Sequence, residues 1–159
     1  METKEVLKSQ YRASVQMLRS AVECCPDSLW NDEGYKNPFW HIAFHAIFYT
    51  HFYLHATEKD FIPWEKHKRG LVSLGDDPGN EKYTKEEILE YIDYFGGRLD
   101  ELVDQLNLEA TSGFYWLPFD KLQLQLYNMR HIQHHTGEMC ERLGKEGEFE
   151  VAWVGMVPS

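Results

Sequence analysis

The chain has 159 residues, 43% of them apolar, and a formal net charge of −10 at neutral pH. That length suits one domain, here residues 1–159, with a core of useful size. The excess of carboxylates excludes nucleic acid and anionic membranes as main ligands, because both recruit cationic surfaces. No stretch reaches the roughly 18 consecutive apolar residues that cross a bilayer.

The opening residues Met1-Glu2-Thr3-Lys4-Glu5 lack the apolar core of a signal peptide, so the cytoplasm is the expected compartment. Cys24, Cys25 and Cys140 suit a reducing environment better than a disulfide framework. The adjacent pair has no CxxC spacing, and all three are read as core residues.

The spacing of Leu7, Tyr11, Val15, Leu18 and Val22 predicts a first helix over Thr3 to Cys24, ended by Pro26. After a loop over residues 32–37, a second helix is predicted with Asn37 as N-cap and Pro38 at the first helical position, running to about His55. Apolar side chains surround it on nearly every side, which places it centrally. Residues 56–83 form a long irregular connection, punctuated by Pro63, Gly70, Gly75, Pro78 and Gly79. Its Asp60-Phe61-Ile62-Pro63-Trp64 piece is apolar enough to pack over one end of the domain, and loops of this length often cover a site. Thr84-Lys85-Glu86-Glu87 is a capping-box pattern that opens a third helix with the stripe Ile88, Ile92, Phe95, Leu99, Leu102 and Leu106. Gly96-Gly97 interrupts that stripe, through close helix approach or a kink. A fourth helix begins near Pro118-Phe119-Asp120 and runs to about Leu143, with Gly144 as its natural stop. The apolar tail Phe149–Met156 is suited to covering the helices or a partner subunit, and it alternates weakly like a strand. These elements predict an all-α protein, a four-helix bundle with a long crossover between helices two and three.

Chemistry concentrates in two histidine-bearing segments. His131 and His135 are one helical turn apart on one face, so both rings are able to hold one metal ion. His41 and His45 repeat that spacing in the aromatic second helix, where a buried imidazole requires a partner. His134 lies about 100° around the helix from His135 and is read as facing a groove or supporting the site. Glu138 is placed to orient a ring nitrogen or to meet solvent. Tyr49, Tyr127 and Glu138 are the candidate proton handlers, with packing or exposure as their alternative role. His51, His55 and His67 are expected at the surface or rim.

The segment Arg130-His131-Ile132-Gln133-His134-His135-Thr136-Gly137 resembles the HxxHH segment of the DinB-like superfamily. The aromatic run from Phe39 to Leu54 resembles that family's second helix. The resemblance implies a helix bundle with a three-histidine site for zinc, nickel or a similar divalent ion. His131 and His135 supply two ligands by this pattern. The first ligand falls on His45, followed by Ala46-Ile47-Phe48-Tyr49, with His41, followed by Ile42-Ala43-Phe44, as the alternative. The family often has Gln where this chain has Glu138, a departure that adds negative charge near the site.

Several members of that family act with a low-molecular-weight thiol. The resemblance therefore implies a metal-dependent thiol transferase or hydrolase acting on a small-molecule substrate. The other reading is a non-catalytic helical protein that binds a metal, ligand or partner. A homodimer is compatible with both.

Overall fold

The computed structural model describes residues 2–75, 78–146 and 149–157; Met1, at the head of the acidic opening stretch, lies outside them. The first helix, α1, spans Thr3–Cys24 and buries Leu7, Tyr11, Leu18 and Val22 along one stripe. It ends because Cys25 precedes a proline and adopts an extended conformation. A short helix that the apolar periodicity does not predict, α2 (Asp27–Trp30), comes immediately after it. It anchors Trp30, whose indole N–H donates to the Tyr83 carbonyl at 3.0 Å.

The central helix, α3, spans Phe39–Phe52. Its start differs from the predicted one: Pro38 itself is the N-cap, with φ −57° and ψ 154°, and its carbonyl accepts from the His41 and Ile42 amides. Asn37 is drawn away from the cap because its side-chain oxygen accepts from the Gly75 amide at 2.8 Å. The helix also stops before His55. The last turns tighten, with Leu54 and His55 bonding to His51 and Phe52, three residues back. All of α3 is buried except His45 and Tyr49.

The crossover after α3 holds a 3-10 turn over Glu58–Asp60 and packs inward through Trp64, Leu71 and Tyr83. Trp64 stacks on Tyr91 with ring centroids 4.8 Å apart, and Tyr83 on Phe44 at 4.4 Å. The apolar residues of this long loop thus form part of the core.

Helix α4 spans Lys85–Gly96 and opens with the reciprocal Thr84–Glu87 capping box. The predicted third helix is broken after Gly96, and α5 resumes at Leu99–Gln105. A kink is therefore the structural meaning of the glycine pair. The last helix, α6, spans Lys121–Lys145 with Asp120 as N-cap; it runs through Gly144 and does not stop there. Among the described residues, structure outside the helices includes one isolated β-bridge, Thr111 to Asp120, and the tail forms no strand. Phe149 and Val151 lie against the core, whereas Trp153 and Met156 are exposed.

The protein is all-α, with α1 packed on α4, α5 and α6, and α3 on α4 and α6. The α3–α6 pair is antiparallel, and its register is held by polar bonds along its length. Lys121 donates to the His55 and Ala56 carbonyls at 2.9 and 2.8 Å, and also to that of Ser112. Gln125 donates to the Tyr53 carbonyl at 3.2 Å, and Asn128 to that of Thr50 at 3.1 Å. Arg142 closes the far end on the Asn37 carbonyl at 2.8 Å. Gly113 permits the lysine end, since it has a φ of +82° and an added Cβ would lie 1.9 Å from the Ala56 carbonyl oxygen.

Gln125 is fully buried and also accepts from the Tyr11 hydroxyl at 2.7 Å, tying α1 to this pair. Gln125→Leu leaves the Tyr11 hydroxyl and the Tyr53 carbonyl without this partner. A loss of about 1–3 kcal/mol is expected in urea unfolding. An unchanged midpoint would remove Gln125 from the forces that set the register.

Candidate metal centre

The register brings His131 opposite His45. Their Nε2 atoms are 3.0 Å apart. His135, one turn further along α6, completes a triangle: its ring centroid lies 4.7 Å from those of both His45 and His131. One donor atom from each of the three lies within 4.8 Å of the others.

Hydrogen bonding fixes the chemistry of these rings. The Val72 carbonyl can only accept, so His45 Nδ1 carries the proton and donates to it at 2.7 Å. That leaves a lone pair on His45 Nε2. The Glu138 carboxylate likewise accepts from His135 Nδ1–H at 3.3 Å, leaving a lone pair on His135 Nε2. His131 Nδ1 is buried without a hydrogen-bond partner. Its Nε2 either donates to His45 or, with the proton on Nδ1, presents a third lone pair to the same place.

Burial favours the neutral rings. It pushes His45 down to about 4 and His131 down to about 3, and it also lowers His135. Three neutral imidazoles gathered around one space are a donor set for a borderline divalent ion once the His131 proton sits on Nδ1. Imidazole nitrogens on one tetrahedral zinc lie roughly 3.3 Å apart, given bonds of about 2.0–2.1 Å. The observed His45–His131 separation of 3.0 Å is close to that value.

His41 lies elsewhere. It is buried, stacks on Trp40, and donates from Nε2 to the Leu71 carbonyl at 2.9 Å. The structure therefore brings His45, not His41, beside His131 and His135. His134 is exposed and forms a second donor group with His135 and Glu138. Glu138 is held from its other side by Arg142 at 2.8 Å. Arg142 is itself buried and lies over the Tyr35 ring, 4.2 Å from its centroid. Tyr49 lies against the site, its ring 4.8 Å from His45 and 5.6 Å from His131. Burial raises the pKa of its hydroxyl. Tyr127 lines a shallow cleft with Arg130, His131 and His134 on the α6 side.

Sequence reasoning missed two supports of this site. No side-chain pattern announces the Val72 carbonyl, because the contact is made by backbone from a loop. Arg142 was readable as the partner four residues after Glu138.

The other histidines separate into two groups. His67 and His55 are half-buried. His51 overturns its surface expectation: it is 1% exposed, shares a 3.0 Å hydrogen bond with the Tyr91 hydroxyl, and packs against Phe61 and Phe95. The break after Gly96 does not disturb this contact, since Tyr91 and Phe95 both precede it.

This arrangement, histidines from two antiparallel helices converging in an all-α protein, defines a class of candidate metal-binding helical proteins. The family model of the DinB superfamily matches residues 10–139, and the chain belongs to that superfamily. No curated protein and no solved structure matches it. No helix among the described residues is long and apolar enough to cross a membrane.

Burial pushes His51 down to about 3, from an ordinary value of 6.5. Between those values the unfolded chain binds the proton and the folded chain does not, so stability falls as pH drops below about 6.5. One such group contributes a slope of up to about 1.4 kcal/mol per pH unit. His51→Gln, measured by urea unfolding at several pH values between 6.5 and 4, is expected to show a shallower loss than the parent protein. Equal slopes would refute the assignment.

Proposed function

We propose that this protein is a divalent-metal-dependent enzyme whose ion, zinc or nickel, is held by His45, His131 and His135. The observation that carries the reading is the pattern of exposure on α3. The helix is buried throughout except at His45 and Tyr49, and His45 meets two histidines of α6 there. Membership of the DinB superfamily supports it.

When bound, such an ion supplies a Lewis acid that lowers the pKa of a water or thiol beside it, making the nucleophile available near neutral pH. The protein's own groups do the rest. Val72 fixes the tautomer of His45, and Glu138 that of His135, so each would keep Nε2 available to an ion; oriented ligands of this kind strengthen metal binding. Arg142 holds the Glu138 carboxylate in place. The aromatic wall of α3 limits water on one side, and Tyr49 stands where it can pass a proton to or from a bound molecule.

The reaction that fits is transfer of a low-molecular-weight thiol to a small electrophile. Sulfur forms the new bond, the leaving group departs with the bonding electrons, and the thiol proton passes to the Glu138 carboxylate, while the Tyr49 or Tyr127 hydroxyl donates to the leaving group. Hydrolysis is the corresponding reaction with water as nucleophile. The site lies within one chain, and a homodimer in the cytoplasm is its proposed setting.

Protein purified without a histidine tag is expected to carry about one divalent ion per chain by elemental analysis. If it has none, and retains none after incubation with zinc or nickel, the proposal fails. His45→Ala should lose the ion, whereas folded His41→Ala should keep most of it; the reverse would move the ligand to His41. Glu138→Ala is expected to weaken metal affinity about 10–100-fold, measured by competition with a chelator. An unchanged affinity would show that Glu138 does not orient His135.

A further inference from the structure

Beside Tyr49, with none of His45, His131 and His135 in its lining, lies a cleft of about 390 Å³, within the range of about 300–1,000 Å³ usual for small-ligand sites. Its walls are Phe48, Tyr49 and Phe52 from α3, Phe61 from the crossover, and Trp116 from the loop before α6. The rings are already arranged for a flat guest. Trp116 is 40% exposed and lies near-parallel to Phe52, at an interplanar angle of 11°. Phe61 meets both Phe48 and Phe52 edge to face, at 82° and 90°.

Two charged residues line the same cleft, on different arms of the crossover. Glu58 belongs to the 3-10 turn beyond the end of α3, away from His45. Arg69 belongs to the arm that leads to Val72, whose carbonyl holds His45. Among the described residues Arg69 has no carboxylate partner, although the chain carries 26 acidic side chains against 16 basic ones. Its charge nevertheless reaches the cleft, because it helps to lower the pKa of His67, another lining residue, after burial. An unpaired guanidinium beside an aromatic cleft is a site for an anionic group on a flat apolar body.

We propose that this cleft binds an aromatic small molecule bearing one anionic group, its rings among Phe52, Phe61 and Trp116 and its negative charge on Arg69. Tyr49 then forms the boundary between that molecule and the three histidines. The inference deepens the proposed enzyme by naming the class of its electrophilic substrate; binding itself is independent of that reading, and only the subsequent reaction rests on it.

The test is calorimetric titration of the whole protein with naphthalene-2-carboxylate and with uncharged 2-naphthol, before and after metal removal by chelation. The carboxylate is expected to bind at least fivefold more tightly than the naphthol. Arg69→Gln should bring the two level. Trp116→Ala, a change at a partly exposed position, should weaken both about tenfold, with circular dichroism checking that the fold is kept. Binding of the carboxylate that these variants leave unaltered, or no binding at millimolar concentration, overturns the proposal. Carboxylate binding with this pattern in a chain that retains no metal keeps the cleft and rejects the metal enzyme. Metal retention without carboxylate binding does the opposite.

Discussion

The antiparallel register of α3 and α6 is the constraint on which the rest depends. Lys121, Gln125, Asn128 and Arg142 each donate from α6 to a backbone carbonyl at or beyond the ends of α3, or within it. These carbonyls belong to the last turn and its exit, to Thr50, and to Asn37 before the first turn. Polar bonds to fixed backbone atoms specify one alignment, where apolar packing alone would tolerate several. A slip of one helical residue would carry His131 about 100° away from His45. The histidine cluster is therefore a product of bonds made mainly by residues that take no part in it.

The same register explains why α3 is buried so completely yet open at one place. Helix α6, α4 and the crossover cover its other faces, and the gap falls where α6 presents histidines. Those imidazoles are kept neutral by burial and directed by a backbone carbonyl and a carboxylate. The crossover has two duties here. It supplies the Val72 carbonyl to His45, and it walls an aromatic cleft that shares Tyr49 with the histidine cluster. A loop that is part of the core is able to hold both positions, since Trp64, Leu71 and Tyr83 anchor it.

Much of this was legible because local rules and tertiary packing agree. The stripe of α1, the Thr84 capping box and the Asp120 start of α6 are decided by neighbours within one or two turns. The departures have equally local causes with distant partners. Asn37 was available as a cap, but the Gly75 amide took its side chain. Gly144 was a fair stop signal, yet glycine only weakens a helix and does not forbid it. His51 was polar enough to read as a rim residue; Tyr91, forty positions later, gives it a buried partner.

The helical character of the protein, the shared face of His131 and His135, and the resemblance to its superfamily are all readable from the residues alone. Each comes from short periodicities or a short motif. The sequence left His45 and His41 open because both sit at the same spacing in the same aromatic helix, and periodicity cannot separate residues one turn apart. Tertiary structure separates their positions: the α3–α6 register sets His45 beside His131, and His41 meets the Leu71 carbonyl. It also decided the two neutral tautomers and the aromatic cleft, since these depend on which backbone carbonyls and loop side chains arrive from far along the chain.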